Sequence, residues 1–407
     1  MSKVISVNAG SSSLKFQLFN MPSEEVICSG IFERIGLEEG IFTIKVNGEK
    51  HVHNQPLPDH DTAVNMLLKA LIDYKCVESL DEIKGAGHRV VMGGSFFQDS
   101  AIANEETAAK VLELAELAPL HNRAIAGGYF AFKKALPECG NIFVFDTAFH
   151  QTMEPGVFTY AVPYEWYTDY QVRRYGAHGT SHYYVAHKTA ELMGKDVKDT
   201  RIVTCHLGNG ASITAVKGGK CFDTTMGLTP LEGIMMGTRS GSIDPAIIPV
   251  LCEKEGLTAK EVDTILNKKS GMLGLTAQYD EDFNEIPGTA TSDNRTIEGR
   301  SKNGDERAQL VEKMLCHQLV KYIGGFAAAM GGVDAVVFTG GIGENNPHYR
   351  TWVAEKLGFL GTAIDETPNS VRGQEIEIST EDSALKLLVI PTDEELLIAQ
   401  DTYELTR

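Results

Sequence analysis

Three short stretches of the chain set cationic side chains among glycines, a pattern that favours anion binding. Arg89 lies between Gly85-Ala-Gly87 and Gly93-Gly94, His178 is flanked closely by Gly176 and Gly179, and Arg239 follows Gly237 in a loop without regular hydrophobic periodicity. A planar guanidinium grips a carboxylate or phosphate through two parallel hydrogen bonds. The alternatives are a surface arginine at a strand start for Arg89 and a backbone hydrogen bond for His178. A zinc site at His178 is disfavoured because no cysteine partner or HExxH spacing is present.

Two segments read as a strand, a glycine-containing turn and a second, alternating strand. The first covers residues 4–19, with Lys15 beside the turn, and residues 201–216 repeat the design half a chain later. Small turn residues allow close approach of a phosphate to backbone N–H groups, although a polar hairpin tip is the plainer interpretation. There is no Walker motif. The repeat predicts a duplicated pair of domains, each offering one phosphate-binding turn.

Other candidate chemistry lies at the ends of apolar segments. Asp146 follows a buried strand, where metal or phosphate chemistry is common in α/β folds, although a helix N-cap is an alternative. The GGxG at 340–343 also follows an apolar strand and is a weak adenine-site signal. Glu394 and Glu395 open the last helix. There they either interact favourably with the helix dipole or bind a metal ion.

Hydrophobic periodicity supplies the elements around these residues. Apolar residues at helical spacing predict helices over 63–74, 108–118, 261–268 and 305–330. Residues 51–58 read as a polar loop, and 279–291 as an exposed acidic loop.

Size and composition exclude several classes of protein. A chain of 407 residues predicts two domains, and a net charge of −18 argues against nucleic acid as a partner. No run of 18 apolar residues predicts a membrane span, and no signal-peptide layout opens the chain. The seven scattered cysteines predict a reducing, cytoplasmic location.

Seven motifs occur together and in order, and they carry a family resemblance. They are Asn8-Ala-Gly-Ser-Ser-Ser-Leu-Lys15, Gly87-His-Arg-Val-Val91, Phe145-Asp-Thr-Ala-Phe-His-Gln-Thr152, Arg174-Tyr-Gly-Ala-His-Gly-Thr-Ser181, His206-Leu-Gly-Asn-Gly210, Met236-Gly-Thr-Arg-Ser-Gly241 and Thr339-Gly-Gly-Ile-Gly-Glu-Asn345. The set spans essentially the whole chain and resembles the acetate kinases of the acetokinase family.

The resemblance implies a fold and a reaction. The fold would be α/β, with two duplicated actin-like (ribonuclease H-like) domains, 1–147 plus 385–407 and 148–384, flanking a nucleotide-binding cleft. The reaction would be direct in-line transfer of the ATP γ-phosphoryl group to acetate, giving acetyl phosphate and ADP reversibly. Mg²⁺, with Mn²⁺ as a substitute, and a homodimer are implied. A propionate kinase is the near alternative, and a non-catalytic nucleotide-binding protein of the Hsp70/actin fold group is the distant one.

Site residues are carried over from the matching motifs. Catalytic roles fall to Asp146, His178 and Arg239, and metal binding falls to Asn8 and Glu394. Substrate binding is expected from Arg89 and from an apolar pocket of Val91, Leu120 and Pro230. ATP binding is expected from Lys15, His206, Leu207, Gly208, Asn209, Gly210, Asp293, Asn294, Arg295, Gly340, Gly341, Ile342, Gly343 and Glu344.

The chain departs from the family pattern at a few positions. Met92, Arg123, Ser242 and Asp393 stand where the family usually has histidine, proline, aspartate and asparagine. Residues 276–291 look like an insertion just before Ser292-Asp293-Asn294-Arg295. None of these differences removes a predicted site arginine or His178.

Overall fold

The computed structural model describes residues 2–118, 121–282 and 284–407, which form two compact units. One unit contains the chain up to Gln151 together with Asp393–Arg407, and the other contains Thr152–Thr392. Each unit holds one sheet with helices, so the α/β class predicted from the sequence is confirmed. The division differs from the predicted boundary at 384/385 because a strand at Lys386–Val389 pairs within the second sheet.

The first unit is built on an eight-stranded sheet. Its strands are β1 (Ser2–Ala9), β2 (Ser13–Met21), β3 (Glu25–Glu33), β4 (Leu37–Val46), β5 (Glu49–Leu57), β6 (Ile83–Val90), β7 (Ala101–Ile102) and β8 (Gly140–Phe145). Their order is β5-β4-β3-β2-β1-β6-β8-β7. β1 to β5 form an antiparallel meander, whereas β6 runs parallel to β1 and to β8. The carboxyl ends of β6 and β8 therefore meet at one edge of the sheet.

The first predicted hairpin is confirmed, and one loop prediction is wrong. β1 and β2 pair antiparallel, with Asn8 opposite Lys15. Residues 51–58 were expected to form a polar loop, but β5 pairs with β4 along most of its length. β5 is an edge strand whose side chains are mostly exposed. Main-chain pairing therefore forms the strand without the apolar alternation on which sequence patterns depend.

Three helices connect strands of the first unit: α1 (His60–Asp73), α2 (Glu105–Glu113) and α3 (Asn122–Ala135). The Asp59 side chain caps α1 by accepting a hydrogen bond from the Thr62 N–H. Leu67, Leu68 and Leu71 of α1 are buried, as the helical spacing predicts. α1 and α3 cover apolar sheet residues such as Phe16, whereas α2 packs with Phe143 and Phe145 of β8.

The second unit is built on a six-stranded sheet of order β11-β10-β9-β12-β14-β13. Its strands are β9 (Arg201–Leu207), β10 (Ala211–Lys217), β11 (Lys220–Thr224), β12 (Ala335–Thr339), β13 (Ile376–Glu377) and β14 (Lys386–Val389). β9 and β10 form the second predicted hairpin, with His206 opposite Ser212. β12 lies parallel to both β9 and β14.

The helices of the second unit include one long central helix. They are α4 (Pro155–Phe158), α5 (Tyr164–Tyr170), α6 (Gly179–Leu192), α7 (Ile247–Glu255), α8 (Ala259–Lys268), α9 (Gly271–Thr276), α10 (Asn294–Lys302), α11 (Glu306–Met330), α12 (Gly340–Asn345), α13 (Pro347–Lys356) and α14 (Glu366–Asn369). Asp305 caps α11, which matches the predicted helix over 305–330. Among the residues that the structure describes, no helix is long and apolar enough to cross a membrane.

The last helix, α15 (Glu394–Thr406), packs on β6 and β8 of the first unit. Three glycines make this contact close. A Cβ built on Gly85 would lie 2.6 Å from Thr402, one on Gly87 would lie 2.2 Å from Thr402, and one on Gly140 would lie 2.5 Å from Thr406. Larger residues would push the helix outward. The first turn of α15 is therefore held near the carboxyl end of β6.

His88 of β6 is a fully buried histidine in an aromatic box. Its Nε2 lies 2.8 Å from the Asn141 Oδ1, and the rings of Tyr129, Phe132 and Phe143 surround it. Burial lowers the pKa of His88 to about 4 from an ordinary value of 6.5. Between these values the unfolded chain binds a proton at this residue and the folded chain does not. Stability should therefore fall as the pH is lowered through this window.

We expect His88 to make the first unit less stable at pH 5 than at pH 7 by about 2 kcal/mol. Native-state hydrogen exchange of the β6 amides measures the opening free energy in this unit. In His88→Gln this pH-dependent loss should largely disappear, whereas in the control His53→Gln, at an exposed position, it should persist. An equal loss in wild type and His88→Gln would contradict the assignment.

Candidate active site

Arg89, at the end of β6, forms a paired salt bridge with Asp146, which directly follows β8. The Arg89 Nε is 2.9 Å from Asp146 Oδ1, and Nη2 is 2.7 Å from Oδ2. Parallel pairing of β6 with β8 sets Val90 opposite Phe145, which brings the two residues to the same sheet edge. Glu394 of α15 lies 3.4 Å from Arg89 Nε. The packing of α15 thus adds a second carboxylate to this arginine.

The electrostatics of this group favour a charged Arg89. Burial alone would lower the pKa of Arg89, but the carboxylates of Asp146 and Glu394 outweigh it and the net shift is upward. The Asp146 side chain is 1 % exposed, and both of its oxygens accept hydrogen bonds from Arg89. This geometry suits a carboxylate that orients an arginine.

Asn8 and Lys15 lie beside this pair. Both line one small pocket of the first unit with Arg89 and Glu394. The Lys15 ammonium forms a very short ion pair with Glu395. Among the described residues, no group of three histidine, cysteine, aspartate or glutamate side chains could hold a metal ion. Asn8 and Glu394 nevertheless offer the hard oxygen ligands that Mg²⁺ prefers.

The segment after β6 is fastened by a residue that sequence reasoning missed. Asn122 is fully buried, and its amide donates to the Met92 and Val111 carbonyls at 2.8 Å and 3.1 Å. Val91, a predicted substrate contact, packs partly buried beside this segment. Leu120, the predicted neighbour in that pocket, lies outside the described residues. Met92, one of the departures from the family pattern, is itself buried.

In the second unit, His178 adopts an unusual backbone conformation just before α6. Its φ is 58° and its ψ 26°, the left-handed region in which non-glycine residues are uncommon. Its Nδ1 lies 2.8 Å from Ser212 Oγ, and its ring stacks on His206 with centroids 4.2 Å apart. Strained backbone of this kind is often retained at functional sites.

His178 and Arg239 converge on Gly210. A methyl group built on Gly210 would lie 3.4 Å from the His178 Nε2 and 3.6 Å from Arg239 Nη1. Arg239 Nη1 donates to the Pro230 carbonyl at 2.9 Å. Burial lowers the pKa of Arg239, and no ion pair involves it among the residues that the structure describes. A ring nitrogen of His178 and a guanidinium nitrogen of Arg239 thus approach the same point in the second unit.

The loop that carries Arg239 is held by side chains that sequence reasoning did not assign. Arg174 donates to Glu232 at 2.8 Å and to the Thr224 carbonyl at 2.8 Å. Tyr160 donates to the other Glu232 oxygen and accepts from the Leu228 N–H. Arg174 is the first residue of one of the seven family motifs. Its partners lie some 50 residues away in the sequence, and no local pattern reveals them.

Most of the residues predicted to bind ATP in the second unit line one cavity of about 500 Å³. The predicted residues lining it are Gly208, Asn209, Asp293, Asn294, Arg295, Gly341 and Ile342. Asp293 and Arg295, which follow the insertion, thus belong to the same cavity as the glycine segments. The remaining predicted residues are close neighbours in the chain: Leu207 is buried in the core, and Gly340 donates its N–H to Glu344 at 2.8 Å.

Arg350 of α13 fixes the glycine segment that follows β12. All five of its N–H groups are used. They donate to the carbonyls of Gly343, Glu344, Asn369 and Val371 and to the Asn369 side chain. Burial lowers the pKa of Arg350 to about 10. The carbonyls at the end of α12 therefore stabilise a fully buried cation and hold α12 in place.

Comparison with known proteins gives one consistent family. The model described as the Acetokinase family matches residues 3–400. An acetate kinase from Anoxybacillus flavithermus is 53 % identical over 405 residues, which cover 100 % of this chain and 99 % of the relative. The crystal structure of Porphyromonas gingivalis acetate kinase has a TM-score of 0.93 at 45 % identity, with full coverage of both chains.

A propionate kinase is also similar in structure. The enzyme from Francisella tularensis has a TM-score of 0.91 at 38 % identity, covering 99 % of this chain and 100 % of that one. The resemblance noted in the sequence motifs is therefore confirmed over the full length. The chain belongs to the acetokinase family.

Proposed function

We propose that the protein is an acetate kinase. It transfers the γ-phosphoryl group of ATP directly to acetate, giving ADP and acetyl phosphate, and it catalyses the reverse reaction. Full-length relatives at 53 % and 45 % identity are acetate kinases by name. The chemistry of the site supports the same reaction.

The observation that carries the proposal is the meeting of Arg239 and His178 at Gly210. Arg239 is partly buried, and a carbonyl is the polar oxygen it contacts. A cation withdrawn from water without a carboxylate is costly unless an anion arrives. In a chain with a net charge of −18, a guanidinium held in this way is a strong signal for an anionic ligand. A transferring phosphoryl group fits it.

The reaction itself calls for cations and not for a general base. Acetate is ionised at pH 7, because carboxylic acids of this kind titrate near 4 to 5. Bringing two unit negative charges to about 4 Å costs about 4 kcal/mol at an effective dielectric constant near 20. Phosphoryl transfer passes through a loose in-line transition state whose charge lies on the equatorial oxygens. Arg239 and His178 are assigned to those oxygens.

The residues of the first unit receive complementary roles. Arg89 binds the carboxylate of acetate, and Asp146 orients Arg89 without removing a proton. Their paired hydrogen bonds support this division, because both Asp146 oxygens are already engaged. Val91 and Leu120 of this unit, and Pro230 of the second unit, are proposed from the family resemblance as apolar contacts of the acetate methyl group.

ATP and its metal ion are assigned to the remaining residues. The cavity lined by Asn209, Asp293 and Ile342 is proposed to bind the nucleoside. Lys15, His206 and the Gly208–Gly210 turn are proposed for its phosphates, and Asn8 and Glu394 would hold Mg²⁺ or Mn²⁺. When bound, the metal ion would neutralise charge on the phosphate oxygens. We propose a cytoplasmic homodimer, as the family resemblance and scattered cysteines imply.

Acyl phosphate formed from ATP, Mg²⁺ and a short acid should be trapped as a hydroxamate. We expect acetate to be the best substrate, with propionate and butyrate slower by about tenfold or more per added methylene. Rates are compared as kcat/KM for the three acids. A higher value for propionate would make the protein a propionate kinase, as the Francisella tularensis likeness allows. No product with any acid would favour a non-catalytic nucleotide-binding protein.

Arg239→Ala should lower kcat by about 10²- to 10³-fold, because one preorganised donor to the transition state is lost. Arg239→Lys should recover only part, since lysine is a point charge without the paired geometry. Arg307→Ala removes an exposed arginine from α11 and is the matched control, with an unchanged kcat. Turnover unchanged in Arg239→Ala would remove this residue from the active site.

Asp146→Asn should retain more activity than Asp146→Ala at saturating Mg²⁺. Asparagine keeps the volume and one acceptor oxygen for Arg89, whereas alanine removes both acceptors and leaves Glu394 as the remaining carboxylate beside the guanidinium. Steady-state kinetics with acetate and Mg²⁺ varied separately measures both effects. If the two variants are equally inactive and added Mg²⁺ restores neither, the orienting role is wrong.

A further inference from the structure

A row of buried polar side chains extends behind His178 into the second sheet. Ser212 Oγ lies 2.8 Å from His178 Nδ1 and 2.7 Å from His182 Nε2. The other ring nitrogen of His182, Nδ1, lies 2.7 Å from Thr204 Oγ1. Ser212, His182 and Thr204 are fully buried. Together they form a hydrogen-bonded chain, here called the Ser212 chain.

Each neutral imidazole and each hydroxyl of the Ser212 chain carries one proton that it can donate. The direction of one hydrogen bond therefore fixes the direction of the others. Thr204 Oγ1 also lies 3.4 Å from the Thr214 carbonyl, which is only an acceptor. If Thr204 donates to that carbonyl, it accepts from the N–H at His182 Nδ1. His182 Nε2 then accepts from the Ser212 hydroxyl.

Ser212 must then accept from an N–H at His178 Nδ1. The opposite polarity, in which Thr204 donates to His182, leaves the contact with the Thr214 carbonyl unused. Buried polar groups normally use the hydrogen bonds within their reach. The order of donors therefore places the proton of neutral His178 on Nδ1, facing away from Gly210.

We propose that Ser212, His182 and Thr204 are positioning residues that hold neutral His178 in its Nδ1–H form, so that binding of the phosphoryl group is coupled to uptake of one solvent proton at Nε2. The inference rests on the proposed function, which assigns His178 to that phosphoryl group. The added proton turns the ring into a cation with two N–H donors, and it returns to solvent when the product leaves.

The surroundings of His178 make this uptake depend on the anion. The titratable or charged groups near His178 in the second unit include His206, His182 and Arg239. The His206 ring stacks on the His178 ring. Arg239 Nη1 and His178 Nε2 both approach Gly210. A second positive charge beside Arg239 is unfavourable until a phosphoryl group offsets both.

The tautomer of His178 is directly measurable by ¹⁵N NMR of the full-length protein labelled at histidine, with His178→Gln providing the assignment. At alkaline pH we expect a protonated Nδ1 and an unprotonated Nε2. Thr204→Val removes the acceptor for His182 Nδ1, so the chain should reverse and move the His178 proton to Nε2. Thr204→Ser keeps a hydroxyl and should behave as wild type.

Three functional readouts test the same placement of the His178 proton. Calorimetric titration of MgATP at pH 8, in two buffers of different ionisation enthalpy, should show uptake approaching one proton in wild type and almost none in His178→Gln. Ser212→Ala should lower kcat at pH 7 by up to about 10²-fold, the scale of losing one oriented donor to the transition state, and Ser212→Thr should restore it. In wild type kcat/KM should fall at alkaline pH, because proton uptake at Nε2 becomes unfavourable there. Thr204→Val should lack this fall, because its neutral His178 already carries the proton on Nε2.

The inference is overturned if wild-type His178 carries its proton on Nε2, or if Thr204→Val leaves the tautomer unchanged. It is also overturned if proton uptake is equal in wild type and His178→Gln. These results are separable from the proposed function. Failure of wild type to form any acyl phosphate would reject the kinase proposal, while the ¹⁵N spectra would still report the polarity of the Ser212 chain.

Discussion

A guanidinium removed from water must be matched by carboxylates, by carbonyl oxygens or by a ligand, and this constraint organises both units. Arg89 is matched by Asp146 and Glu394, and Arg350 by four carbonyls and an amide. Arg174 is matched by the Glu232 carboxylate and by the Thr224 carbonyl. Arg239 contacts the Pro230 carbonyl and meets His178 at Gly210. Of these four arginines, Arg239 is thus the one without a carboxylate or amide side-chain partner among the described residues.

The backbone supplies the positions at which these charges are matched. Parallel strands β6 and β8 end side by side, which is why two residues 57 positions apart form a paired salt bridge. Glycines on β6 and β8 allow α15 to approach closely, and α15 brings Glu394 to the same arginine. In the second unit, the β9–β10 hairpin places Gly210 between His178 and Arg239. Small residues thus act here through the close approach they permit.

Local patterns in the sequence were sufficient for the class of fold and for most site segments. Both hairpins and the helix from Glu306 were predictable, because alternation and capping act over a few residues. β5 was not, since an exposed edge strand lacks an apolar face. The roles of Asn122 and Ser212 were also hidden. Their partners lie 30 and 34 residues away, and single asparagine or serine residues carry no signal of their own.

The return of α15 to the first unit has a consequence for how a nascent chain matures. A ribosome delivers the whole contiguous second unit before it delivers Asp393–Arg407. Strands β6 and β8 are therefore synthesised long before the helix that covers their glycines. Until that helix has been made, Arg89 lacks the Glu394 carboxylate. The second unit has all its own segments available earlier. Vectorial synthesis thus favours completion of the later unit first, the reverse of the usual amino-terminal-first order.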